Sequence, residues 1–151
     1  MWSTDETGLV SVEDMASDNR IRVPADVVRR QGSGKFRADA VRAYGERCAV
    51  TGTDVLPILE AAHIMEYKGP HTNVVTNALL LRSDIHTLFD LHLLTIGPEH
   101  RVHLAPAVRA SQEYAGLHGQ QLRLPNDQAA HPDAEWLRAH NTKCSSWFGR
   151  G

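Results

Sequence analysis

The sequence predicts an α+β fold: a strand, a loop, a second strand and a helix at the centre, then an added β-hairpin, with helices on both flanks. Three patterns carry this expectation. The strand-like runs "LPILEAAHI" and "NALLL" bracket the polar stretch "EYKGPHTNVVT". "LLTIGPEHRVHLAP" sets Gly97-Pro98 between two further strand-like runs, as a hairpin turn requires. Phe36, Ala40, Val41 and Tyr44 recur at helical spacing on one side of this centre, and "EWLRAHNTKCSSWF" reads as a helix on the other.

In order, residues 1–32 read as an acidic tail followed by a short basic helical lead, and residues 33–151 as one domain. The tail, residues 1–19, holds five acids and no bases. "RVPADVVRR" predicts a short helix with Pro24 near its start, where the missing N–H costs nothing. "QGSGK" is a flexible joint. "FRADAVRAYGERC" predicts a helix ending near Gly45. "AVTGTDV" reads as a strand and turn, and the strands "LPILEAAHI" and "NALLL" follow with their polar loop between them. Ser83 is a candidate N-cap for a helix from Asp84 to Leu91. After the hairpin, "AVRASQEYAGLHG" predicts a helix stopped by glycine, and the helix at 135–148 follows.

Size and composition narrow the class. A chain of 151 residues is long enough for a single domain with a real core. Apolar content of 42% and charged content of 23% suit a soluble globular protein. No apolar run reaches the roughly 18 residues of a membrane span, and "MWSTDETGLV" lacks the basic and apolar regions of a secretory leader. Cys48 and Cys144 form neither a CxxC pair nor a disulfide framework. A reduced, cytoplasmic setting is the expectation. The net charge of −2 is uninformative, but residues 20–47 carry eight bases against three acids. Such a block can neutralise phosphates, or it can be a solvated helix face against the acidic tail.

Three polar residues stand at the centre. His63 lies at the end of the first strand, Asn77 begins the second, and His86 lies on the helix that follows, a spacing of H-x13-N-x8-H. Taken singly, each has an ordinary explanation: a structural histidine, a turn asparagine, a surface histidine. Asp90 follows His86 by four residues and shares its helix face.

With "CAVTG", "LEAAHI", "TNALLLRSDIHTLFD" and "LLTI", these residues resemble the HNH endonucleases, the ββα-metal or His-Me finger nucleases, and most of all a restriction-type bacterial branch. The resemblance runs from Phe36 to Leu104, with a motif core at 48–104, and implies a ββα-metal core within a nuclease domain at 33–151. It implies a metal-dependent DNA endonuclease in which His63 is the general base, Asn77 the middle residue of the motif that holds the loop and His63, and His86 a ligand to one divalent cation (Mg, Mn, Ni or Zn). Asp90 matches a position where some members carry another ligand. A phosphodiester needs both an activated water and positive charge where negative charge gathers, which is why an imidazole and a cation belong together.

One departure is Ala62, where many members place a ligand. Glu60 lies on the same side of the strand two residues earlier, and is either a further metal ligand or an exposed carboxylate. Arg37, Arg42, Arg47, Lys68 and His71 are candidates for phosphate contacts, which position a protein without reading bases. DNA is the expected partner, with specificity low or supplied by a partner, a dimer or a longer parent protein. The rival reading is a catalytically inactive fold serving as a DNA-binding or interaction module.

Overall fold

The computed structural model describes residues 11–17 and 34–149. Within the expected tail one helical turn forms, α1 (Val12–Ala16), with Ser11 Oγ accepting from Asp14 N at 3.2 Å. The expected helix at 22–30, the start of the joint and the boundary at residue 32 lie outside the described residues. Gly34 and Lys35, expected in the joint, instead open helix α2 (Gly34–Ala43). No described helix is long and apolar enough to cross a membrane.

The centre is an antiparallel pair, β1 (Leu59–His63) and β2 (Ala78–Arg82), in register Ala62↔Leu79 and His63↔Ala78. β2 runs directly into helix α3 (Ser83–Asp90). Ala78 to Leu81 are all buried, so this strand is covered on both faces, and α2 and α3 both pack against it. A continuous apolar run is what such a position demands. Phe36 and Ala40 are the buried face of α2, and Ile85 and Phe89 that of α3. Tyr44 fastens the end of α2 to the hairpin, its buried hydroxyl donating to Ala78 O at 2.9 Å.

A second antiparallel pair, β3 (Leu94–Ile96) and β4 (Val102–Leu104), is the expected added hairpin. A Cβ at Gly97 would lie 2.6 Å from His103 Nε2, so a larger residue there requires the His103 ring to shift. The short helix α4 (Pro106–Arg109) follows, and α5 (Ala134–Lys143) packs on β3, with Asp133 Oδ1 accepting from Glu135 N and Trp136 N as its N-cap. One buried apolar cluster runs from Phe36 to Leu137.

Five further expectations need correction. "AVTGTDV" forms no strand: Gly52, at φ +75°, turns the chain so that its N–H meets Cys48 O at 2.9 Å, and Ala49 gives only a single bond to Leu80. "LPI" is a 3₁₀ turn (Leu56–Ile58) before β1, and Asn77 ends another (Val75–Asn77) before β2. The helix expected at 107–119 stops after one turn and resumes as a 3₁₀ turn at Ala115–Leu117, because Tyr114 is drawn to α3, where its hydroxyl donates to Asp84 Oδ2 at 2.8 Å. Ser83 is not an N-cap: it is the first residue of α3, and its hydroxyl lies 3.0 Å from Ile58 O and 3.2 Å from Glu60 Oε2.

One polar link between α5 and this core is His140, only 4% exposed. Its ring stacks on Phe89 at 3.7 Å between centroids. Nε2 lies 2.9 Å from Phe89 O and Nδ1 2.7 Å from Thr95 Oγ1. Burial pushes its pKa from 6.5 down to about 4, against the opposing pull of the Phe89 carbonyl. The native ring is therefore neutral across the range where an unfolded histidine takes up a proton. Its contribution is complete above pH 6.5 and declines as pH falls towards 4. The loss is on the order of 3 kcal/mol by linkage. Urea unfolding at pH 7 and pH 4.5 should show His140→Gln destabilised at neutral pH but with a shallower loss on acidification than the unsubstituted protein. Parallel pH dependences would place the acid sensitivity elsewhere.

Candidate active site

His63 ends β1 and is half-buried against α2. Its ring stacks on Phe36 with centroids 4.2 Å apart and an interplanar angle of 10°, and Tyr67 meets it edge-on at 5.6 Å. Nε2 is 2.7 Å from Asn73 Oδ1. Since a carbonyl oxygen can only accept, Nε2 carries the proton in this contact and Nδ1 keeps its lone pair. Burial lowers the His63 pKa below its usual value and outweighs the Asn73 contact, which raises it. The neighbouring His86 adds to the lowering, and Asp90 opposes it. The ring is neutral at pH 7 and able to accept a proton.

Asn77 is 2% exposed and spends its whole side chain on the loop between the strands. Oδ1 accepts from Met65 N at 2.8 Å, and Nδ2 donates to Met65 O and Thr72 O, both at 3.0 Å. The amide thus takes over where the backbone ladder ends, beyond Ile64 N donating to Asn77 O, and it reaches across the loop to the residue before Asn73.

On α3, His86 sits between two carboxylates. Glu60 Oε1 lies 2.7 Å from Nδ1, and Asp90 Oδ2 lies 3.1 Å from Nε2. The His86 side chain is 12% exposed and that of Asp90 60%. Burial alone would lower the His86 pKa, but Asp90 and then Glu60 outweigh it and hold the imidazole above its usual value. Ala62 is fully buried and contributes no donor.

The 3.1 Å between His86 Nε2 and Asp90 Oδ2 is an ion-pair distance, and it is also the spacing of two neighbouring ligands on one cation. Two ligands at right angles on a six-coordinate ion, each about 2.1 Å away, stand about 3.0 Å apart, which is the spacing of His86 Nε2 and Asp90 Oδ2. Glu60, expected as a further oxygen ligand, meets the opposite ring nitrogen. The two nitrogens point apart, so an ion at Nε2 is beyond Glu60 as it stands. Among the described residues no three His, Cys, Asp or Glu side chains form a group that could hold a metal.

His63, His86 and Asp90 line one cleft of about 440 Å³, with Tyr67, His92 and Lys143 on its walls. Lys143 comes from α5 and pairs with Glu66 at 3.5 Å. The expected phosphate-binding residues are scattered. Arg37 is turned inward, donating from one guanidinium nitrogen to Leu56 O at 2.9 Å and Leu59 O at 3.2 Å. The guanidinium thereby holds the carbonyls of the 3₁₀ turn and of the first residue of β1. Arg42 is 79% exposed and loosely paired with Asp39 at 3.6 Å. Arg47 donates to Gly52 O at 3.1 Å. Lys68 and His71 are exposed on the loop. Sequence reasoning missed Asn73, Phe36 as the ring that His63 stacks on, and Lys143. Asn73 sits in the quoted loop, but nothing in its spacing distinguishes it from a turn residue.

Residues 48–97 match the family model for HNH endonucleases, which bears out the resemblance read from the sequence. A solved modification-dependent TagI restriction endonuclease shares the fold, with a TM-score of 0.55 and 20% identity. The match covers 82% of this chain and 44% of that one, so the chain spans less than half of its length. The α+β class stands on this likeness. No curated protein sequence matches the chain.

Asn77→Asp preserves shape and the acceptor for Met65 N but sets a carboxylate against two carbonyls. It should cost about 2–4 kcal/mol, the scale of two buried hydrogen bonds lost with their acceptors unpaired. Chemical denaturation should register this, together with faster amide exchange at Met65. An unchanged midpoint would mean that the loop is held by other contacts.

Proposed function

We propose, taking the HNH family match of residues 48–97 as premise, that the protein is a metal-dependent endonuclease that hydrolyses phosphodiester bonds in DNA. The observation that carries this reading is the meeting of a neutral, half-buried His63 with the His86–Asp90 pair on the walls of one cleft. In this reading His63 accepts the proton of the attacking water. His86 Nε2 and Asp90 hold one divalent ion, Mg, Mn, Ni or Zn. When bound, that ion supplies the positive charge that stabilises the pentacovalent phosphorane and the leaving oxygen. Glu60 accepts from Nδ1–H of His86 and so fixes the tautomer that leaves Nε2 free to ligate, a usual part for a carboxylate behind a ligating histidine. Asn77 keeps the loop closed behind His63. Arg42, Arg47, Lys68 and His71 are the exposed groups available to backbone phosphates. A specificity partner, a dimer or a larger parent protein would supply recognition.

The rival reading, an inactive DNA-binding or interaction module, draws on Ala62 and on the two-residue donor set. Nicking of supercoiled plasmid with EDTA and metal add-back separates the two. Cleavage should appear only with a divalent ion, and protein that never nicks with any of the four would overturn the nuclease reading.

The ligand roles are tested separately. His63→Ala should slow cleavage by about 10²–10⁴-fold, the usual loss on removing a general base, with calorimetric metal affinity unchanged. Asp90→Asn should weaken metal binding and cleavage together, with partial rescue by excess metal. Glu60→Gln should cost less affinity than Asp90→Asn, because its amide oxygen can still accept from Nδ1–H. The reverse order would make Glu60 the ligand.

A further inference from the structure

The motif asparagine does not touch the expected base. Asn77 binds the backbone of Met65 and Thr72, whereas the side chain on His63 belongs to Asn73. We propose that Asn73 is the positioning residue of His63, fixing the ring's orientation and selecting Nδ1 as its basic nitrogen, and that Asn77 acts on the base through Asn73. The inference rests on the nuclease reading above.

The geometry leaves the imidazole little freedom. Phe36 covers one ring face, Tyr67 meets it edge-on, and Asn73 Oδ1 takes the Nε2 proton at 2.7 Å. Asn73 does not line the cleft that holds His63, His86 and Asp90. It lines a separate groove with Lys35, Asp39 and Arg42, so it meets the ring from behind. The Asn73 backbone follows from its neighbours: it closes the 3₁₀ turn Pro70–Thr72, its own N–H donating to Pro70 O at 3.0 Å, and Asn77 Nδ2 grips the carbonyl of Thr72 one residue earlier. A chain of contacts therefore runs from Asn77 through Thr72 and Asn73 to His63. The proton balance is simple. Nδ1 takes a proton from water, Nε2 keeps its own, and the resulting imidazolium still donates to Asn73 Oδ1. Without that acceptor either nitrogen can carry the proton of the neutral ring, and half-turns about χ2 become open to it.

Three variants test this, Asn73→Ala, Asn73→Asp and Asn77→Asp, each first confirmed as folded by thermal melting. Long-range ¹H–¹⁵N NMR on the full chain should find His63 in the Nε2–H form in the unsubstituted protein, a mixture in Asn73→Ala, and the Nε2–H form restored in Asn73→Asp, which keeps the oxygen. In plasmid nicking, Asn73→Ala should lower kcat about tenfold to a hundredfold, less than loss of the base itself, with KM for DNA and metal affinity unchanged. Asn73→Asp should recover most of that loss. A folded Asn77→Asp should show the same mixture of His63 tautomers as Asn73→Ala. An Asn73→Ala protein with unaltered kcat or unaltered His63 tautomer overturns the proposal. So does a failure of Asn73→Asp to restore either, and an Asn77→Asp that keeps the Nε2–H form removes the link through Asn77. If the unsubstituted protein nicks no DNA, the nuclease reading falls and the catalytic role of Asn73 with it, while the NMR arm still decides whether Asn73 sets the tautomer.

Discussion

The cleft depends on one buried amide. The strands β1 and β2 are joined by a polar loop from residue 64 to residue 77, too long to hold a shape by local turn preferences alone. Asn77 closes it with three hydrogen bonds from a side chain that is almost wholly out of water. A buried amide is costly unless every donor and acceptor is met. Here they are met by backbone groups on both sides of the loop, so the penalty for opening is high and the arrangement is unique. The ladder after His63 is preserved by Ile64 N donating to Asn77 O at 3.0 Å. The chain just past His63 is therefore hydrogen-bonded as the hairpin is, although it is irregular.

A second constraint is electrostatic. His86 is mostly buried and both its nitrogens face carboxylates. Glu60 is the less exposed of the two and is shared with the Ser83 hydroxyl, so it behaves as a fixed part of the framework. Asp90 is open to solvent at the cleft. This asymmetry divides one histidine's two contacts into an inner contact that orients and an outer contact that can exchange. The Arg82–Asp84 pair, at 2.6 and 2.9 Å with Tyr114 on the same carboxylate, joins the end of β2 to the first turn of α3. It ties the helix start to the segment after α4, and so keeps Arg82 and Asp84 out of the cleft.

How much of this was legible follows from the range of each interaction. The strand–loop–strand–helix order, the hairpin at Gly97 and the flanking helices rest on local periodicity and turn chemistry, and these were readable. So was the sharing of a helix face by His86 and Asp90, because i, i+4 spacing is set by the helix itself. The strand expected at "AVTGTDV" failed because its apolar residues, Cys48, Ala49 and Val50, are buried by a turn and not by a ladder. Ser83 failed as a cap because its hydroxyl found Ile58 O and Glu60 instead.

The sequence by itself determined the central strand–loop–strand–helix order, the added hairpin, the two flanking helices and the family likeness, since all of these are written in short spacings. Only the tertiary structure decided which partner each polar group takes. Glu60 reaches the far nitrogen of His86 across 26 positions, Arg37 turns to carbonyls 19 and 22 positions away, and Asn73 meets His63 across a loop. Such pairings depend on how strands and helices stack once their apolar faces are buried, and hydrogen bonds of 2.7 Å are selected by tenths of an ångström that no periodicity encodes.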